Sequence, residues 1–135
     1  MAGSDVLSGR CILVVEDEYL MASSLIMEFE DEGAATLGPV SNVEDALSLI
    51  SQNAVKLDAA VLDINLRGTM AFEVADRLSE AGIPFVFLTG YQCDTMPERF
   101  ILTPCLNKPC DEAELIAVLA TLPTRHGEVS RLSES

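Results

Sequence analysis

The chain has 135 residues, enough for one domain with a single core. With 49% hydrophobic and 22% charged residues it has the balance of a folded globular domain rather than a disordered tail, and no apolar run approaches the roughly 20 residues of a membrane span. Eight basic against twenty-two acidic residues leave a formal net charge of −14, which repels a phosphate backbone and argues against direct nucleic-acid binding.

Residues 1–9 are small and polar and read as a flexible terminus, with neither the basic nor the apolar region of a signal peptide; the expected location is cytoplasmic. Cys11-Ile12-Leu13-Val14-Val15 is a continuous apolar, β-branched run, the pattern of a strand buried on both faces, and it ends abruptly in Glu16-Asp17-Glu18. Ala22, Leu25, Ile26 and Phe29 then recur at helical spacing, with Gly33 as a stop. Ala35–Val40 reads as a weaker second strand. Ser41 with Glu44 forms a capping box for a helix whose inner face is Val43, Ala46, Leu47 and Ile50.

Leu57–Leu62 is the central strand and delivers Asp63 to a loop closed by Gly68. Thr69 is the expected cap of a third helix carrying Ala71, Val74, Ala75 and Leu78, stopped near Gly82 and Pro84. Phe85–Leu88 is a fourth buried strand ending in Thr89-Gly90-Tyr91. In Gln92–Thr103 a cap at Asp94 or Thr95 allows one or two helical turns at most. Pro104–Asn107 is a short fifth strand before Lys108-Pro109. Asp111 with Glu114 caps the last helix, whose inner face is Leu115, Val118, Leu119 and Leu122. From Pro123 the tail (123–135) is polar and aperiodic, and His126 in it is an exposed bystander.

The β-α alternation, five times over, requires parallel strands joined by right-handed crossovers, hence a doubly wound α/β sheet covered by helices on both faces. The four cysteines (Cys11, Cys93, Cys105, Cys110) contain no C-x-x-C pair. Cys105 and Cys110, spaced C-x4-C with only His126 elsewhere, do not make a zinc site, and reduced thiols are the expectation.

In a parallel sheet all strand ends point to one edge, where open α/β sheets bind their ligands. Here Glu16-Asp17 follow the first strand, Asp63 the third, Thr89 the fourth and Lys108 the fifth. Singly these are ordinary: acids near a helix start, a cap, a turn hydroxyl, a solvated lysine. Together, three converging carboxylates repel one another and call for a proton or a cation, and hard oxygen ligands without His or Cys select Mg2+. A carboxylate ringed by Mg2+, a lysine and a hydroxyl is equipped for phosphoryl transfer, with Asp63 as nucleophile and an aspartyl phosphate as product. Arg67 and Arg99 read as solvated surface charges.

Val14-Val15-Glu16-Asp17-Glu18, Leu62-Asp63-Ile64-Asn65-Leu66, Leu88-Thr89-Gly90 and Lys108-Pro109 resemble the four signatures of the CheY-like response-regulator receiver domain of two-component signalling, over about residues 10–122. The resemblance implies the flavodoxin-like (βα)5 fold with sheet order 2-1-3-4-5 and a short or irregular fourth helix. It implies Asp63 as phosphoacceptor, with Asp17 as direct Mg2+ ligand, Glu16 assisting through water and Asn65 giving its backbone carbonyl to the metal. Thr89 and Lys108 hold phosphoryl oxygens, and Lys108-Pro109 is cis. Phe87-Leu88-Thr89-Gly90-Tyr91 further resembles the "FAT GUY" subfamily, departing from it at Leu88; its members are often stand-alone receivers partnered with histidine kinases of the HWE and HisKA2 classes. A second departure is Cys105, where receivers usually carry Tyr or Phe; Tyr91 or Phe87 are the substitute rings.

The function so implied is that of a single-domain response regulator rather than an enzyme acting on a separate substrate. It would take a phosphoryl group from a histidine kinase or phosphotransfer protein, and be a monomer or weak dimer. Two other classes fit the residues less well. An aspartyl-nucleophile phosphatase wants an acid where Asn65 stands, and a flavodoxin-like cofactor binder wants a phosphate loop where Glu16-Asp17 would repel it. A receiver-like interaction module that is never phosphorylated is the remaining alternative.

Overall fold

The computed structural model describes residues 6–90, 93 and 96–123. Five parallel strands form the sheet: β1 (Cys11–Val15), β2 (Ala35–Val40), β3 (Ala59–Asp63), β6 (Phe85–Thr89) and β7 (Cys105–Asn107), in the order β2-β1-β3-β6-β7. Counted among the sheet's own strands this is the expected 2-1-3-4-5. The remaining two strands, β4 (Asn65–Leu66) and β5 (Thr69–Met70), make a small antiparallel hairpin. The helices are α1 (Tyr19–Asp31), α2 (Val43–Asn53), α3 (Phe72–Glu80) and α4 (Glu112–Thr121), and a 3-10 turn spans Glu98–Phe100. Among the described residues no helix is long and apolar enough to cross a membrane.

Strand alternation divides the core into two layers. Leu13, Val15, Ala60, Leu62, Phe85 and Phe87 pack with α2 and α3. Ile12, Val14, Ala59, Val61, Val86 and Leu88 pack with α1 and α4. The first layer holds a ring cluster in which Phe87 lies 5.3 Å from Phe85 and 5.4 Å from Phe100, both edge-on. Such pairs add about 0.5–1.5 kcal/mol each beyond burial. Phe87 is therefore a fixed core residue and not a substitute mobile ring. Tyr91, Asp94, Thr95 and His126 lie outside the described residues.

Three local expectations are corrected. The α2 cap is Asn42, whose Oδ1 accepts the Asp45 N–H at 2.8 Å, and not Ser41 one residue earlier. Thr69 caps nothing: it belongs to the hairpin, and α3 starts after Ala71 with no side-chain cap, because the Ala71 N–H donates to Ile64 O at 2.7 Å and fixes the entry. The four thiols are not all free: Cys93 and Cys105 form a disulfide with Cα atoms 5.9 Å apart, leaving Cys11 and Cys110 reduced. Asp111 does cap α4, accepting the Ala113 N–H at 3.0 Å. At the other end of α4, the Arg10 guanidinium donates to the carbonyls of Leu119, Ala120 and Leu122, satisfying groups the helix leaves open.

One irregularity bears on the site. Gly38 has φ +100°, and a Cβ there would meet the Val14 carbonyl oxygen at 2.6 Å. The β1–β2 register shifts at this point, between Leu13 and Val15, and past it the Glu16 N–H donates to Val40 O at 2.9 Å. A glycine is thus required where the two strands draw together just before the acids begin.

Candidate functional site

The carboxyl ends of β1, β3, β6 and β7 carry Glu16-Asp17, Asp63, Thr89 and Lys108 to one edge, and the structure brings the charged members into contact. Lys108 Nζ lies 3.0 Å from Asp63 Oδ2, 2.9 Å from Glu18 Oε1 and 3.1 Å from Glu16 Oε2. Its side chain is 17% exposed, against 1% for Glu16 and 5% for Asp63. Lysine follows β7 directly, and the chain there is fixed by the Lys108 N–H donating to Thr89 O at 2.7 Å and by the cis Lys108-Pro109 bond, as the resemblance implied. Thr89 is fully buried at the end of β6, where its carbonyl ties that strand to the lysine.

The loop after Asp63 is wound around its own polar groups. Asp63 Oδ1 accepts the Asn65 N–H at 3.1 Å, and Asn65 Oδ1 accepts the Gly68 N–H at 2.7 Å. Arg67, exposed and with φ +54°, sends its N–H to Asp17 Oδ2 at 3.0 Å, so the loop reaches across to the first strand's acid. The Asn65 side chain is thereby occupied in shaping the turn, and a neutral amide there has no proton to give as a phosphatase's acid would.

Charge at this edge is not balanced by the protein alone. One oxygen each of Glu16, Asp17 and Asp63 lie within 4.8 Å of one another. Glu16 Oε1, fully buried, sits 2.9 Å from Lys108 Nζ but outside hydrogen-bonding alignment and has no hydrogen-bond partner. Burial pushes the Glu16 carboxyl up to about 7; the Lys108 and Glu18 N–H hydrogen bonds oppose this and the Asp63 charge adds to it. Burial works against the Lys108 charge, yet its hydrogen bonds to Glu16, Glu18 and Asp63 outweigh it and hold the ammonium above the ordinary lysine value. An all-oxygen set with one buried oxygen left without a hydrogen bond suits a hard divalent cation, so the residues present fit Mg2+.

Glu18 carried no role in the sequence, although it stands in the same acidic run. It occupies the α1 N-cap position without capping, and its carboxylate turns to Lys108 instead. Asp58 was also missed: buried at the opposite edge, it accepts the Cys11 N–H at 2.8 Å and ties β1 to the start of β3. Arg99 is exposed but paired, its guanidinium meeting Asp76 at 2.9 and 3.0 Å and lying 4.6 Å over the Phe100 ring, which fastens the 3-10 turn to α3.

Comparison with known proteins agrees with this architecture. The family model described as "Response regulator receiver domain" matches residues 12–120. The BeF3-activated solution structure of SdrG from Pseudomonas melonis Fr1 is 38% identical, covers 84% of this chain and 95% of that one, and superposes with a TM-score of 0.69. SdrG from Sphingomonas melonis Fr1 gives 38% identity, coverages of 82% and 93%, and a TM-score of 0.71. The signal receiver domain of a modulated diguanylate cyclase from Desulfovibrio desulfuricans G20 is 30% identical over 82% of this chain and 91% of that one, with a TM-score of 0.68. A search of curated proteins gave no match. The family's model runs from the first strand into the last helix, and SdrG shares both the fold and more than a third of its residues: the chain belongs to the response regulator receiver domain family.

Proposed function

We propose that the chain accepts a phosphoryl group on Asp63 from the phosphohistidine of a histidine kinase or phosphotransfer protein, in a Mg2+-dependent reaction, and later loses it to water or passes it on. The observation that carries this is the approach of Lys108 Nζ to 3.0 Å from Asp63 Oδ2 within a cluster of three acids, Glu16, Asp17 and Asp63 itself. SdrG takes a BeF3-activated conformation, and beryllofluoride is a phosphoryl mimic, which supports the same chemistry for a relative at 38% identity.

Asp17, Asp63 and the Asn65 carbonyl would hold the cation, with Glu16 through water; when bound it supplies positive charge to the incoming phosphoryl oxygens. The rest falls to the chain's own groups. The Asn65 N–H and Lys108 fix the Asp63 carboxylate so that an oxygen faces an incoming phosphorus. Its lone pair forms the new O–P bond as the P–N bond breaks, and the electron pair returns to the imidazole ring. Lys108, already shared among three carboxylates, moves its charge onto a phosphoryl oxygen, and Thr89 offers a hydroxyl to another. The chain is on this reading a phosphoacceptor that catalyses its own modification, working in the cytoplasm. The Phe87–Tyr91 motif favours a kinase of the HWE or HisKA2 class.

The test is incubation with Mg2+ and acetyl phosphate, read by intact mass. One phosphoryl adduct is expected, absent in Asp63→Asn and absent when EDTA removes the metal. No adduct in the wild type refutes the proposal in favour of an unphosphorylated interaction module.

A further inference from the structure

The Cys93–Cys105 disulfide lies among the residues that carry the site. Cys105 is in β7, paired with Phe87, and the same two strands pair Thr89 with Asn107 just before Lys108. Cys93 is four residues past Thr89, and the bond joins residues 12 apart in sequence. β7, which leads into Lys108, is therefore held twice, once by its ladder to β6 and once by a covalent bond to Cys93, past the end of β6. β7 is only three residues long, is at the edge of the sheet and is nowhere fully buried, so the ladder alone holds it weakly.

Both cysteines are half-buried and line an open cleft of about 460 Å³ with Met96, Phe100, Ile101 and Thr103, a route by which a small thiol would approach them. Cys93 Sγ also lies 3.4 Å from Asn107 Oδ1. A disulfide sulfur has no proton to donate, whereas a Cys93 thiol does; the reduced state has an acceptor ready for it. The remaining cysteines are poor competitors. Burial pushes up the thiols of both Cys11 and Cys110, and the acids Glu114, Asp111 and Glu112 push Cys110 further.

We propose that Cys93 and Cys105 form a redox-reactive staple, opened by dithiols and closed by peroxide, that sets how readily the Asp63 site takes up its phosphoryl group. The coupling rests on the phosphoacceptor reading above; the staple itself does not. In opening, a dithiol's thiolate attacks Cys93 Sγ, the S–S bond breaks and Cys105 leaves as a thiolate that takes a proton. The second dithiol sulfur then displaces Cys93, so the dithiol becomes a disulfide while the pair gains two electrons and two protons. In closing, peroxide oxidises one thiolate to a sulfenic acid, and the other displaces water from it. Closed, the bond ties Cys93 to β7 and so raises the cost of any rearrangement that carries Thr89 and Lys108 onto a phosphoryl group. Open, the 3-10 turn before β7 is still held by the buried Phe100 and the Arg99–Asp76 pair.

The experiment compares the full chain as purified without reductant, the same chain after dithiothreitol, and the Cys93→Ser/Cys105→Ser double variant. Alkylation under denaturing conditions should add two labels to the unreduced chain, on Cys11 and Cys110, and four after reduction. Amide exchange over 96–107 should be faster in the reduced chain. With acetyl phosphate and Mg2+, the initial rate of adduct formation should rise about five-fold or more on reduction, at the lower end of ordinary site-to-site coupling. The double variant should match the reduced chain with or without dithiothreitol. Four labels without reductant, or equal exchange and equal rates in both redox states, overturn the proposal. Redox-dependent exchange with no adduct in any form upholds the staple and refutes the phosphoacceptor reading instead.

Discussion

Replacing Lys108 by Met removes the one cation that, among the described residues, faces Glu16 and Asp63 at the site, and keeps most of its apolar stem. At 3 Å and an effective dielectric constant of about 20, each lysine–carboxylate contact is worth about 5 kcal/mol before desolvation is subtracted. Stripping one partner from a buried pair costs about 3–5 kcal/mol net, and the 17% exposure of Lys108 places this site near the lower figure, about 3 kcal/mol. The loss should depend on pH. Glu16 titrates near 4.5 unfolded but at about 7 in the fold, so its contribution is fully present below about pH 4.5 and is lost as pH rises through 7. Without the Lys108 hydrogen bond its pKa goes higher still, and protonation at low pH relieves the repulsion with Asp63. Urea unfolding in EDTA should therefore show Lys108→Met destabilised by about 3 kcal/mol at pH 8 and by about 1 kcal/mol less at pH 6. A loss equal at both pH values, or no loss, refutes the charge balance described for this edge.

Two further outcomes follow from the same geometry. A fixed Mg2+ concentration should raise the thermal midpoint, by the equivalent of about 2.7 kcal/mol where it is about a hundred times the dissociation constant at pH 8, and by less at pH 6, where the Glu16 proton must first leave and binding is weaker; an unchanged melt contradicts three converging acids. Gly38→Ala should cost about 1–3 kcal/mol in urea unfolding, because φ +100° is strained for alanine and the new Cβ meets the Val14 carbonyl; an unchanged midpoint means that the strand crossing relaxes freely.

The parts of this molecule that could be read from sequence are those set by local pattern. Val14-Val15, Val61-Leu62 and Phe87-Leu88 are continuous apolar runs because both faces of their strands are covered, and the acids stand out by ending those runs. Capping was legible only to within a residue: Ser41 and Asn42 each precede an acid by three positions, and only the strand before them decides which one caps. Thr69 has the chemistry of a cap, but two-residue strands leave no periodic signal, and the turn that pulls it away is built by Asn65 and Gly68. Glu18's turn toward Lys108 depends on where the last strand passes α1, a distance no spacing reports. The same holds for Cys93 and Cys105, which lie 12 apart with no motif between them and become partners only because β6 and β7 pair.

Everything proposed for the site converges on one atom group, the Asp63 carboxylate. Borohydride converts an aspartyl phosphate to homoserine, so treating the acetyl phosphate-reacted chain with borohydride and sequencing its peptides by mass locates the modified residue. Homoserine at position 63, and nowhere else among the acids of the cluster, is the expected result. Homoserine at Asp17, or 5-hydroxynorvaline (the reduction product of a glutamyl phosphate) at Glu16 or Glu18, with Asp63 unmodified in a chain that has taken up phosphate, would contradict the account outright.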